Sequence, residues 1–134
     1  MEDVSKHAQT ALAVLRIVTA LLLIEHGAMK LVGFPAFGVG GAGDEGNLST
    51  LMLIFSLREV FGGLAVLTGL LTRPVAFLLS GQMGLGYWTT HFSGKSVFPV
   101  LNGGDDTLLF CFILLYLAFT GPGAWSFDAK MKRI

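Results

Sequence analysis

The chain has 134 residues and no net formal charge, with 53% hydrophobic and only 13% charged residues, against roughly 25% charged in ordinary soluble domains. A mean hydropathy of +0.70 makes water a poor solvent for most of it, and a pI near 6.8 leaves no basic field to hold nucleic acid through its phosphates. A single cysteine, Cys111, excludes an intrachain disulfide and a CxxC redox pair.

No spacer or second hydrophobic unit interrupts the sequence, so residues 1–134 read as one domain. Four apolar segments follow one another, each near the ~20 residues that a helix needs to cross a bilayer. The first runs from about Ala8 to Val32. Lys6 ahead of it raises the question of a signal peptide. The stretch is too long for one, carries Arg16, and ends in Glu25, His26 and Lys30 where a cleavage site would need small residues, so a retained helix is expected. Loop one, Gly33 to Leu48, contains Gly38, Gly40, Gly41 and Gly43. Without a preceding strand this tract reads as a flexible connection and not as a phosphate-cradling loop.

The second segment spans Thr50 to Leu71, with Asn47 and Ser49 as candidate caps, and the third Pro74 to Thr90, with proline in its first turn. Gly81, Gly84 and Gly86 mimic a dinucleotide fingerprint, but inside an apolar helix they read as close helix packing. Loop three runs from His91 to Gly104. The fourth segment spans Asp106 to Thr120, where Asn102, Asp105 and Asp106 suit its start and Gly121, Pro122 and Gly123 stop it. Tyr87, Trp88, Tyr116 and Trp125 are expected as interfacial anchors.

Lys6, Arg73, Lys130, Lys132 and Arg133 fall on one side of these segments, and Lys30 and Lys95 on the other. Short cytoplasmic loops carry the excess of Lys and Arg. The predicted fold is therefore an all-α integral membrane four-helix bundle with both termini in the cytoplasm.

Ionisable residues within such helices each cost roughly 2.5 to 3.5 kcal/mol at the bilayer centre, so they turn inward and find partners. At about 100° per residue, Arg16, Leu23, Gly27 and Lys30 share one face of segment one, with His26 beside it, and Glu59 shares a face of segment two with Phe55, Gly62, Gly63 and Val66. Arg16 and Glu59 are expected to pair between helices. The pair serves either to hold two antiparallel helices in register or to bind a ligand or proton at Glu59. His26 and His91 should lie near the external face, with Asp105 and Asp106 close by. Paired histidines can ligate haem or a metal, but no supporting motif accompanies them, and a hydrogen-bonding role is the expected one; no metal site is assigned.

The polar skeleton resembles the DoxX family of small bacterial membrane proteins over nearly the whole chain. The resemblance rests on Arg16 followed by HGAMKL (His26, Gly27, Lys30), then EVFGGLAVLTGLLTRP (Glu59 to Pro74), Met83 and His91, NGGDD (Asn102 to Asp106), and GPGAWSFD (Gly121 to Asp128). Asp105 stands where glutamate is more usual in the family, and Glu25 and the Gly-rich loop one are additions. The resemblance implies a multi-pass protein of the bacterial inner membrane tied to redox metabolism or redox stress, acting as a quinone-linked oxidoreductase subunit. The expected site then has Glu59, Arg16 and His26 to hydrogen-bond quinone oxygens or move their protons, with Lys30, Phe55, Met83, Tyr87, His91, Asn102 and Asp105 around the quinone. The same apolar residues would also make an ordinary bundle core. No electron-carrying motif is present, so redox chemistry would need a bound quinone or a partner. Two other functions fit the sequence: a membrane scaffold docking a soluble redox enzyme through its basic C-terminal tail or loop one, and a small-solute transporter assembled as a homo-oligomer.

Overall fold

The structure is a computed structural model that describes residues 2–34, 49–92 and 96–132. Among these the secondary structure is entirely helical: α1 (Glu2–Val32), α2 (Thr50–Thr68), α3 (Thr72–Gly86) continued by a π-helical segment (Tyr87–Phe92), the short α4 (Pro99–Asn102), α5 (Asp105–Thr120) and the short α6 (Phe127–Met131). The Gly-rich tract of loop one and Asn47 lie outside the described residues.

Local chemistry explains most boundaries. Ser49 Oγ accepts from the Met52 amide and opens α2. Gly69 ends it in the left-handed conformation at φ 71°, and the amides of Gly69 and Leu70 bond back to Val66 and Ala65. The second helix therefore stops at Thr68, not at Leu71, and α3 starts at Thr72, ahead of the proline expected to open it. Helix α1 starts at Glu2, well before the apolar run, because backbone hydrogen bonding continues into the polar N-terminal turns, where Thr10 Oγ1 also donates to the Lys6 carbonyl. At the start of α5, Asp105 and Asp106 occupy the first turn as expected, while Asn102 acts one step earlier by accepting from the Gly104 amide.

Consecutive long helices run antiparallel, as their contacts show. Gly27 of α1 faces Ser56 and Glu59 of α2, and Gly63 faces Ala20 and Ile24. Leu79 of α3 packs on Gly62, and Ser80 Oγ donates to the Cys111 carbonyl of α5 at 2.7 Å. Gly62 and Gly63 thus serve helix packing and not ligand approach. Of the three α3 glycines only Gly84 is close to a neighbour, with Cys111 Sγ 3.4 Å from where its Cβ would be; Gly81 and Gly86 face open space.

The burial pattern is inverted relative to a soluble domain. Arg16, Thr19, Ser56, Glu59, Thr72, Ser80, Gln82, Asn102 and Thr107 are buried, while Val18, Leu21, Phe61, Phe77, Leu85, Phe112 and Phe119 are exposed. A soluble domain exposes few apolar patches of such extent, whereas hydrocarbon favours this arrangement. Val4–Val32 and Thr50–Thr68 are each long and apolar enough to cross a membrane. Trp88, Tyr116 and Trp125 are exposed as interfacial anchors should be, but Tyr87 is buried and its hydroxyl accepts from Asn102 Nδ2.

At one end of the molecule the C-terminal segment clamps the helices. The Arg16 guanidinium, fully buried, donates from Nη1 to the Pro122 carbonyl at 2.7 Å and from Nη2 to the Trp125 carbonyl at 2.9 Å. Asp128 accepts from the amides of Leu71 and Thr72, each at 2.9 Å, capping α3 from a distant part of the chain. Leu71 and Trp125, at φ 49° and 53°, are the non-glycine residues in the left-handed region among those described, and both belong to this clamp. An Asp128→Ala variant is expected to lose about 1–2 kcal/mol of stability, as a missing helix cap does. Gly69→Ala should also destabilise, because a Cβ there would sit 2.6 Å from Arg16 Nη1 in a backbone conformation unsuited to alanine. Thermal unfolding of both variants in detergent checks this; wild-type midpoints would contradict the clamp.

Candidate functional site

The opposite end holds a cavity of about 410 Å³ between α1, α2, α3 and the π-helical segment. Its polar centre is Glu59, only 2% exposed near the middle of α2. Lys30 of α1 reaches it with Nζ 2.9 Å from Oε1 and 3.1 Å from Oε2. Gln82 of α3 donates from Nε2 to the same Oε1 at 3.1 Å and to the Phe55 carbonyl at 3.1 Å. Both neighbours of that nitrogen are acceptors, which settles the orientation of the amide. Three helices are therefore tied together at one carboxylate.

This convergence depends on Gly27. A Cβ there would lie 2.9 Å from Glu59 Cβ, from the Ser56 carbonyl oxygen and from Val60 Cγ2, so glycine lets α1 approach α2 closely enough for Lys30 to reach Glu59. Lys30 lies one turn beyond Gly27 on the same face.

Around the ion pair, Phe55 and Met83 form apolar wall, and Gly86 leaves space. His26 lines the cavity with its ring tilted against Phe110 at a centroid distance of 6.2 Å. His91, carried by the π-helical segment, lines it from the far side. Its Nδ1 lies 3.3 Å from the Asn102 carbonyl oxygen. A carbonyl only accepts, so Nδ1 is the donor, and in the neutral ring Nε2 is the nitrogen with a lone pair. Asn102 is itself fixed, donating to Tyr87 Oη and the Ser96 carbonyl and accepting from the Gly104 amide. Gly104 is needed there, since a Cβ would meet the Tyr87 ring at 2.7 Å and His91 Cβ at 2.8 Å.

Glu59, His26, Lys30, Phe55, Met83 and His91 thus share one cavity, with Tyr87 and Asn102 behind His91. Arg16 does not join them. It belongs to the clamp at the other end, and the expected pair with Glu59 is replaced by Lys30 and Gln82. Asp105 is exposed and is not among the cavity residues. Sequence reasoning missed Gln82, Thr89, Thr90 and Thr107, which also line the cavity. A lone amide inside an apolar helix carries the same signal as a buried ion in weaker form, and Gln82 was legible on that ground.

Removing only the cation should leave Glu59 uncompensated. Lys30→Met is expected to cost about 3–5 kcal/mol, and adding Glu59→Gln should restore much of the loss. Unfolding of the two single variants and the double variant in detergent measures the coupling; strictly additive losses would contradict the pair.

Comparison with known proteins identifies the family and the membrane. The DoxX family profile matches residues 11–92, the region from α1 through the π-helical segment that supplies Lys30, Glu59, Gln82 and His91. An uncharacterized protein of Haemophilus influenzae is 38% identical over 97% of both chains. Inner membrane protein YqjF of Escherichia coli is 31% identical, with 90% of this chain and 91% of that protein aligned, and inner membrane protein YphA of the same species is 29% identical over 89% of each. No solved structure matches the chain. With its apolar exterior and buried ions, the chain belongs to the DoxX family and is a small protein of the bacterial inner membrane.

Proposed function

We propose that the chain crosses the inner membrane as a four-helix bundle with both termini in the cytoplasm, and that its cavity binds a lipid-soluble quinone or quinol for a redox system. The topology is supported by the alternating helix directions and by contact between the chain ends, where the Ala124 amide donates to the Gln9 carbonyl. Helices α3 and α5, at 15 and 16 residues, are short for a span. The π-helical continuation of α3 and modest local thinning of the bilayer make up the difference.

The observation that carries the ligand reading is the cavity itself: apolar walls from Phe55 and Met83 around converging polar groups on Lys30, Glu59, His26 and His91. A single quinone ring fits a space of about 410 Å³. When bound, the quinone supplies two-electron chemistry that no side chain here provides. The chain's own residues bind, orient and exchange protons with it. Lys30 has one N–H beyond its two contacts with Glu59, suited to a ring oxygen, and His91 Nε2 is suited to take a hydroxyl proton. Glu59 and Gln82 position Lys30, and Asn102 positions His91.

Gly86 offers a selective test, because it lines the cavity and a Cβ there would meet nothing within 4 Å. Gly86→Leu should fill the cavity while leaving the thermal midpoint near that of the wild type. Protein extracted gently from native membranes should then carry quinone in the wild type and little or none in the variant. Equal quinone content in both, or none in the wild type, would refute the reading. For the topology, Lys6→Cys and Lys132→Cys on a Cys111→Ala background should both resist an impermeant thiol reagent added outside intact cells; labelling of either would overturn it.

A further inference from the structure

The clamp end contains a second recess, of about 480 Å³, where α1, the α2–α3 turn, the end of α5 and α6 meet. Two cations line it, Arg73 from the first turn of α3 and Lys132 just after α6. Neither has an ion pair or side-chain hydrogen bond among the described residues. The acid beside them, Asp128, has both carboxylate oxygens committed to the amides of Leu71 and Thr72 at the start of α3. Those amides are neutral and leave its charge in place, so with two cations to one carboxylate among the described lining residues the recess is net positive.

The Arg73 guanidinium also has a defined seat. It lies across Gly121 at the end of α5, where a Cβ would be 3.3 Å from Nε and 3.4 Å from Nη2. The lining also includes apolar side chains from Leu71, Pro74 and Met131. Exposed Trp125 and Phe127 stand at the same end, in the position of side chains that mark a membrane–water interface.

Cations beside apolar wall at an interface match a phosphate that carries acyl chains. We propose that this recess binds the phosphate of an anionic phospholipid, with the headgroup between Arg73 and Lys132 and the start of a chain against Leu71, Pro74 and Met131. A zwitterionic lipid brings its own ammonium toward the two cations and is disfavoured. The site is separate from the Lys30–Glu59 cavity and does not depend on what that cavity binds.

The test uses the full chain, delipidated in detergent, with thermal stabilisation read during titration with phosphatidylglycerol, phosphatidylcholine or inorganic phosphate. Phosphatidylglycerol should stabilise at clearly lower concentration than phosphatidylcholine. Arg73→Gln and Lys132→Gln should each weaken its apparent affinity roughly five-fold, the effect expected of one interfacial cation. Lys6→Gln, which removes a cation outside the recess, should not. Lys132→Gln alone provides the readout if Arg73→Gln reduces the yield of folded protein. Equal stabilisation by the two lipids overturns the proposal, as does an equal loss from Lys6→Gln, which would reflect general attraction. Stabilisation by inorganic phosphate matching that by phosphatidylglycerol would overturn the assignment to a lipid.

Discussion

A carboxylate buried among apolar helices is the constraint on which the rest of the structure depends. Glu59 cannot be left alone in such surroundings, because an unpaired charge there costs several kcal/mol even after relaxation. The chain answers with a cation from α1 and an amide from α3, and those two contacts determine how three helices sit at one end of the molecule. Gly27 follows from the same demand. Any side chain at that position would push α1 away from α2 and lengthen the distance Lys30 must cover.

The two ends of the molecule use buried charge differently. At the clamp, Arg16 donates through both Nη atoms to backbone carbonyls and Asp128 accepts from backbone amides, so the charges fasten a C-terminal segment and fix where α3 begins. Backbone partners leave little freedom, which suits a structural fastening. At the cavity, the charges meet each other through side chains and retain spare valences, an N–H on Lys30 and a ring nitrogen on His91, and His26 lines the same space. Partially committed groups beside an open volume are what a ligand needs. The clamp end thus commits its buried charges to backbone groups, whereas the cavity end keeps side-chain hydrogen-bonding capacity in reserve.

The helices themselves were legible because apolar runs are local to the sequence, and two of them, α1 and α2, are long and apolar enough to cross a membrane. Depth along a partner helix is not local. Helical periodicity placed Arg16 and Lys30 on one face of α1 correctly, yet it could not say which of them meets Glu59. The antiparallel register puts Glu59 level with Gly27 and Arg16 level with Gly69, about 16 Å apart along α1 at 1.5 Å per residue. The cap supplied by Asp128 was illegible for the same reason, since its partners are more than fifty positions away. The π-helical segment has no sequence signature, so the placement of His91 beside Asn102 could not be read from spacing. Of the residues that the resemblance grouped, His26, Lys30, Glu59, Met83 and His91 line one cavity, while Arg16 and Asp105 lie outside it.

The central claim, that α1 and α2 are joined through Lys30 and Glu59 inside the membrane, is most directly tested by distance. Solid-state NMR on protein in bilayers, with ¹⁵N in lysine side chains and ¹³C in glutamate carboxylates, measures the dipolar coupling between them. The account predicts strong dephasing, consistent with an N–O separation of 2.9 Å, that disappears in Glu59→Gln. Absence of that coupling in the wild type, or its survival in Glu59→Gln, would contradict it.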